Sequence, residues 1–399
     1  MSSETHVRSV YGDLGDRTAV PRLIRWSLYA LLAVAALASL PMVGRYSPLP
    51  LSTALDFWIG LFLLTALVRG PLRAPVLLVG LVGYTLSWLT PGLASDAPLP
   101  DLVQGYKWAI YLLVFALAIG RRWEPTRGLV RLTWFLLIMA IIKSVLSLLL
   151  EGPGERPGLL TESNYDIALY SGLTIVCYRH MGRSRALMIL LLGLIVILSG
   201  SRSGAVTFFI VALFAVFQAR NSSLILKYLM ACAIPLLAWV PLMVFQARSA
   251  GGVSIDRLGF LDVFLAETSD WSPLNWLFGT TPLTPLSSSA CNSLSYFQGL
   301  FSTAGDGSCY SVILHAFVLR IVFDAGIVGL VFAIAILWYT MRRAGLNRFM
   351  TLTFLAIVIA NGLSVSGLNN PYVALPVLLG ILTAQSPSGV PTTNHKAVR

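Results

Sequence analysis

The sequence predicts an all-α polytopic membrane protein, with about twelve transmembrane helices and one large outer loop between the ninth and tenth. Three observations predict it: a scarcity of charge, a succession of apolar runs of bilayer length, and a bias of Lys and Arg between alternate loops. The chain is 56% hydrophobic and only 11% charged, whereas a soluble domain carries roughly 25% charged residues. So few charges do not coat a water-facing surface, and lipid is the fitting solvent. Mean hydropathy is +0.78. The length suits a single membrane domain, 1–399. The net charge of +11 would suggest nucleic acid on a soluble protein. Here it is read as cytoplasmic loops held against an anionic leaflet, with the bilayer as partner and no nucleic acid.

The polar N-terminus MSSETHVRSVYGDLGDRTAVPRLIR has no small-residue cleavage site after a short apolar core. The first apolar run is therefore expected to remain as a helix. A span needs about 20 apolar residues. Runs near that length are centred in 23–43, 51–68, 74–92, 103–120, 129–150, 165–178, 186–200, 203–219, 224–245, 312–340, 349–366 and 371–385. The run 312–340 exceeds a span and is expected to begin above the membrane.

With the N-terminus inside, the cytoplasmic segments hold 18 Lys and Arg and the outer loops hold 5, namely Arg45, Arg156, Arg202, Arg248 and Arg257. That asymmetry supports both termini in the cytoplasm. The outer loop, 246–311, forms a subdomain. Within it Leu258, Leu261, Phe264 and Leu265 recur at helical spacing, which predicts an amphipathic surface helix. The Ser-rich stretch 287–308 is expected to be its flexible part. Cys291 and Cys309 share this loop and make a plausible disulfide in an oxidising compartment. No Cys or His spacing resembles a metal site, and no cofactor is expected. A twelve-helix transporter is the obvious rival, but no internal repeat is visible.

Each outer arginine departs from the charge rule. Arg202 lies in the tight turn Leu198-Ser199-Gly200-Ser201-Arg202-Ser203-Gly204, where small neighbours let a ligand approach and two serines add donors. A guanidinium fork matches phosphate oxygens; the plainer reading is an arginine that snorkels to set helix depth. Arg257 opens the loop's amphipathic segment and is read either as a second phosphate clamp or as a partner of Asp256 or Asp262. His315, where the tenth run begins, is the sole outer histidine and suits proton removal from a sugar hydroxyl; a structural role at a helix end is the alternative. Arg156, Glu162 and Asn164 precede the sixth run and are read either as sugar-binding groups or as a hydrated turn with an N-cap. Arg320 and Asp324 share a helix face and are expected to pair. Lys143 is expected to face the bundle interior.

Three segments together resemble the O-antigen ligase and polymerase superfamily of bacterial envelope glycosyltransferases. They are ERPGLLTESNYDIALYSGL with the later LSGSRSGAV, then DRLGFLDVF ahead of NWLFGTTP, and then LHAFVLRIVFDAGIVGL with its His315, Gly326 and Gly329 spacing. The motifs span roughly 154–340, and the first five runs match only in hydropathy. The resemblance implies a bacterial inner-membrane enzyme whose periplasmic face takes a glycan from undecaprenyl pyrophosphate. Polymerases pass it to another lipid-linked glycan, and ligases pass it to lipid A core. It further implies that Arg202 and Arg257 hold the pyrophosphate and that His315 assists the acceptor hydroxyl. Ala316 departs from the Asn that often follows the family's histidine. The segment Thr161-Glu162-Ser163-Asn164 leans towards polymerases. An inverting displacement with a good leaving group needs no metal if arginines stabilise the departing charge. Purified protein should therefore turn over in EDTA; activity that is lost and then restored by a divalent ion would reject this.

Overall fold

A computed structural model describes residues 18–42, 45–69, 72–94, 97–152, 157–218 and 256–384, without the side chains of Trp88, Leu89, Asp256, Arg257 and Leu258. The described helices are Arg22–Ser39 (α1), Leu51–Val68 (α2), Pro75–Ala94 (α3), Leu99–Ala118 (α4), Arg127–Glu151 (α5), Ser163–Cys177 (α6) and Arg185–Ser199 (α7). Then come Arg202–Gln218 (α8), Asp256–Glu267 (α9), Pro273–Phe278 (α10), Ser288–Ser293 (α11), Phe317–Arg343 (α12), Arg348–Gly362 (α13) and Pro371–Thr383 (α14). Eleven of the twelve apolar runs fall on these helices, and the other, 224–245, lies outside the described residues. Among the described residues the only bridge of β type joins Ala19 to Arg122. By length and composition, six helices can cross a bilayer: α1, α2, α3, α5, α7 with its preceding turn, and α12. Helices α8, α13 and α14 are apolar but shorter.

The outer helices read as membrane-facing. Helix α1 turns Ile24, Leu28, Leu32 and Ala36 inward while Leu23, Val34 and Leu37 stand exposed. Large apolar groups left outside a fold in this number mark a lipid contact. The centre is a short pair, α6 and α14, buried on nearly every side. A Cβ on Gly172 would meet Pro376 at 2.3 Å, so a hydrogen at this position lets the two axes close. Around the pair, α8 packs on α6 and α13, while α5 packs on α1, α6 and α7.

In lipid, a backbone group freed by a helix end or break must find a protein partner. Lys143 meets this need at the end of α1. It is only 1% exposed, and its ammonium donates to the carbonyls of Ser39, Met42 (2.7 Å) and Arg45 (2.9 Å). These carbonyls lie at and just beyond the C-terminus of α1, where a cation is also favoured by the dipole. The inward-facing lysine expected from the sequence is thus a cap.

Helix α4 breaks at Tyr106 (φ −117°, ψ 17°), which interrupts the bond between Gln104 and Trp108. Asn369 splices the gap: its Nδ2 donates to the Gln104 carbonyl (2.8 Å) and its Oδ1 accepts from the Trp108 amide (3.0 Å). Arg320 reaches the same break, donating to the carbonyls of Gly105 and Gln104. Its Nε lies 3.9 Å from the Asp324 carboxylate, which also accepts from Ser311 (2.8 Å). The expected pair therefore forms, and it staples α12 to α4.

Replacing Asn369 by Leu should strand the buried Trp108 amide and cost about 1–3 kcal/mol. The check is a lowered thermal unfolding midpoint of the purified protein; an unchanged midpoint would remove the splice.

Candidate functional site

Two segments distant in sequence close on each other at one end of the bundle. Helix α7 ends at Gly200, whose φ of 59° suits a left-handed C-cap, and α8 starts two residues later. In the turn between them Ser201 Oγ accepts from the Gly204 amide (3.0 Å), capping α8. Both Ser201 and Ser203 donate to Asn164 Oδ1, the latter at 2.8 Å. A Cβ on Gly204 would meet Ile167 of α6 at 2.5 Å, so the turn lies directly on the start of α6. Arg202, half-buried, is carried between the two anchored serines. The turn around the predicted phosphate clamp is therefore rigidly seated on the segment predicted to hold sugars.

That segment is shaped by Asp166. Its carboxylate lies inside the fold and accepts the amides of Leu159 (2.6 Å), Leu160 (3.0 Å) and Thr161 (3.2 Å). Three amide bonds to this one side chain fold the chain back over its own helix. Glu162 takes the N-cap position of α6 without a side-chain capping bond and is exposed. Asn164 gives its oxygen to the serines, so it serves first as an anchor for the Arg202 turn. Arg156 lies outside the described residues.

From here polar contacts run on towards His315. Tyr165 and Ser366 bond through their hydroxyls (3.2 Å). The neighbouring Val365 carbonyl accepts from the Phe317 amide (3.1 Å), two residues beyond His315. A further link, Asn361 Nδ2 to Thr207 Oγ1 (3.2 Å), ties α13 to α8. The turn carrying Arg202 and the turn carrying His315 therefore belong to one connected layer. Tyr165, Asn361 and Ser366 escaped the reading of the sequence, which placed Asn361 and Ser366 inside the apolar run 349–366; for those two the signal was the polar stretch NGLSVSGLNN, 361–370.

His315 does not begin a helix. It has φ 55° and sits between a tight turn of helix, Ser311–Leu314, and α12. A left-handed conformation is uncommon outside glycine and marks a position held by its surroundings. Its ring stands 6.1 Å from those of Phe260 and Phe297. Phe260 belongs to α9, so the loop helix is docked against the histidine. Arg257 lies one turn earlier on that helix, and its side chain is outside the described residues. The helix expected from the sequence is present as α9. Phe260 and Phe264 point in, while Leu261 and Leu265 stand exposed, because the helix has apolar residues on two sides and both fit its period.

The rest of the described part of the loop, to residue 311, is folded as well. Cys291 and Cys309 form a disulfide. The Ser-rich stretch, expected to be flexible, instead holds α11 and two anchors. Asp101 accepts from Ser302 Oγ (2.8 Å) and the Thr303 amide (3.1 Å), and Glu267 accepts from the Ser287 amide (3.1 Å). Helix α10 lies against a break in α12 at Gly326 (φ 67°), where a Cβ would meet the Leu277 carbonyl oxygen at 2.2 Å. Thr280 completes this seam by donating its amide to the Phe323 carbonyl (2.9 Å). The second and third motifs are therefore joined backbone to backbone. Among the described residues no cluster of His, Cys, Asp and Glu could hold a metal ion. Comparison with protein-family models and with curated proteins finds no match.

Asn164→Leu should release both serines and loosen the Arg202 turn, at a cost of about 1–3 kcal/mol. Faster hydrogen exchange confined to 199–204 and the start of α6 is the expected reading; unchanged exchange there would detach the turn from Asn164.

Proposed function

We propose that the chain is a bacterial inner-membrane glycosyltransferase that transfers a glycan from undecaprenyl pyrophosphate to an acceptor sugar hydroxyl, as an O-antigen or exopolysaccharide polymerase. In this reading the chain crosses the membrane twelve times with both termini in the cytoplasm, and 246–311 is a periplasmic loop. The observation that carries it is the docking of the Arg202 turn on the Asn164 segment, in one polar layer with the His315 turn. Packing of α9 against His315 supports it, because that helix also bears Arg257.

The chemistry follows from these groups. The acceptor oxygen attacks the anomeric carbon as the bond to the pyrophosphate oxygen breaks, inverting that centre. The departing diphosphate gains charge, which Arg202 and Arg257 stabilise. The proton of the attacking hydroxyl passes to the His315 imidazole. Glu162, exposed beside the Arg202 turn, is free to meet sugar hydroxyls. The exposed Leu261, Leu265, Leu274 and Phe278 of α9 and α10 offer an apolar flank for the polyprenyl chain.

A transporter would need polar groups lining a path at mid-membrane. The deep pair Arg320–Asp324 is instead engaged with backbone and Ser311, which favours a fixed scaffold.

With purified protein and a polyprenyl-pyrophosphate oligosaccharide, Arg202→Ala should lower kcat by roughly 10²–10³, and Lys should restore only part of it, since an ammonium lacks the bidentate fork. His315→Ala should cost about 10²–10⁴. Wild-type rates in both alanine variants would end the proposal. In a deletion strain, lipopolysaccharide bearing single repeats marks a polymerase, whereas long lipid-linked chains beside bare lipid A core mark a ligase.

A further inference from the structure

At the other end of α1 and α5 from the site above, a cavity of about 810 Å³ opens between the two helices. Its upper wall carries four arginines: Arg22 and Arg25 from the first turn of α1, and Arg127 and Arg131 from the first two turns of α5. Arg22, Arg127 and Arg131 are exposed. Among the described residues no carboxylate pairs with any of the four. Arg25 alone is partly engaged, donating to the Val20 carbonyl (3.1 Å). Further along both helices the lining turns apolar, with Ala30 and Ala33 facing Leu132 and Phe135. Ala30, Ala33 and Phe135 lie one to two turns past the nearest arginine of their own helix, roughly 6–12 Å deeper, while Leu132 sits level with Arg131.

The walls between these levels are firm. Tyr29 accepts from the Trp123 indole (2.9 Å) and meets Trp26 edge-on at 5.9 Å. A Cβ on Gly128 would stand 2.8 Å from the Tyr29 ring, so glycine lets the ring lie flat against α5. Cations above, aromatics at the interface and aliphatic groups below reproduce, in order, the layers of a single phospholipid.

We propose that this cleft binds one anionic phospholipid of the cytoplasmic leaflet, its phosphate among the arginines and its upper acyl chains on the Ala33–Phe135 floor. Guanidinium forks recognise phosphate oxygens bidentately, and each basic residue near an anionic surface adds to retention. The occupant is a lipid, because a soluble phosphate would leave the apolar floor of the cleft wet. The proposal rests on the bilayer setting and on the cytoplasmic orientation of this end of the bundle, and not on the transfer reaction.

The test uses the full-length protein in detergent, exposed to equal amounts of phosphatidylglycerol and phosphatidylcholine, with retained lipid read by native mass spectrometry. Wild type should keep one phosphatidylglycerol. The double variant R127Q/R131Q should bind it roughly thirtyfold more weakly. R183Q/R343Q, which loses the same charge at exposed positions outside the cleft, should bind as wild type does. Equal retention of both lipids, equal loss in both double variants, or displacement by millimolar inorganic phosphate would each overturn the proposal. Because all four substituted side chains are exposed, an unchanged thermal midpoint is expected and separates lost binding from lost folding.

Discussion

The structure depends on the demand that every backbone group withdrawn from water be given a partner. Uninterrupted helices meet it at no cost, but a membrane protein built only of them would have no concave, polar place in which to do chemistry. Here the helices are broken where the polar layer sits, and buried polar side chains make good each break. Lys143 closes the end of α1, Asn369 and Arg320 mend α4, and Asp166 folds the chain ahead of α6. Among the described residues the buried charges Asp101, Lys143, Asp166, Arg320 and Asp324 all bond to the chain's own groups.

The same economy explains the segment 256–316. It has too small an apolar core to stand alone, and its inner face, Phe260, Phe264, Leu286 and Cys309, packs onto the upper part of α12. A covalent bond and the Asp101 carboxylate hold what hydrophobic burial leaves loose. The outcome is a cover joined to the bundle at several independent points.

Helix positions were legible because apolar runs near bilayer length mark helices: eleven of the twelve runs fall on described helices, six of which are long and apolar enough to cross a membrane. The disulfide was legible because both cysteines lie in one loop, and the Arg202 turn because Gly200 and its serine neighbours announce a break. The Asn369 splice was not, since its partners are separated by 265 and 261 residues and an amide inserted in a helix leaves no period in the sequence. The break at His315 was hidden because apolar residues continue on both sides with no Gly or Pro beside it. What joins the Arg202 turn to Asn164 was visible only as two motifs in one chain, whose contact distance no spacing encodes.

Helix α6, fully enclosed, has 15 residues and so rises only about 22 Å, against roughly 30 Å of surrounding hydrocarbon. Set upright in a bilayer it would fall short of the hydrocarbon by roughly 8 Å, which would leave the polar layer at its first turn as a dimple beneath the neighbouring phosphates. A lipid-borne headgroup would slide sideways into such a hollow without being hoisted clear of its leaflet. The depth of that hollow would be set by the length of one central helix.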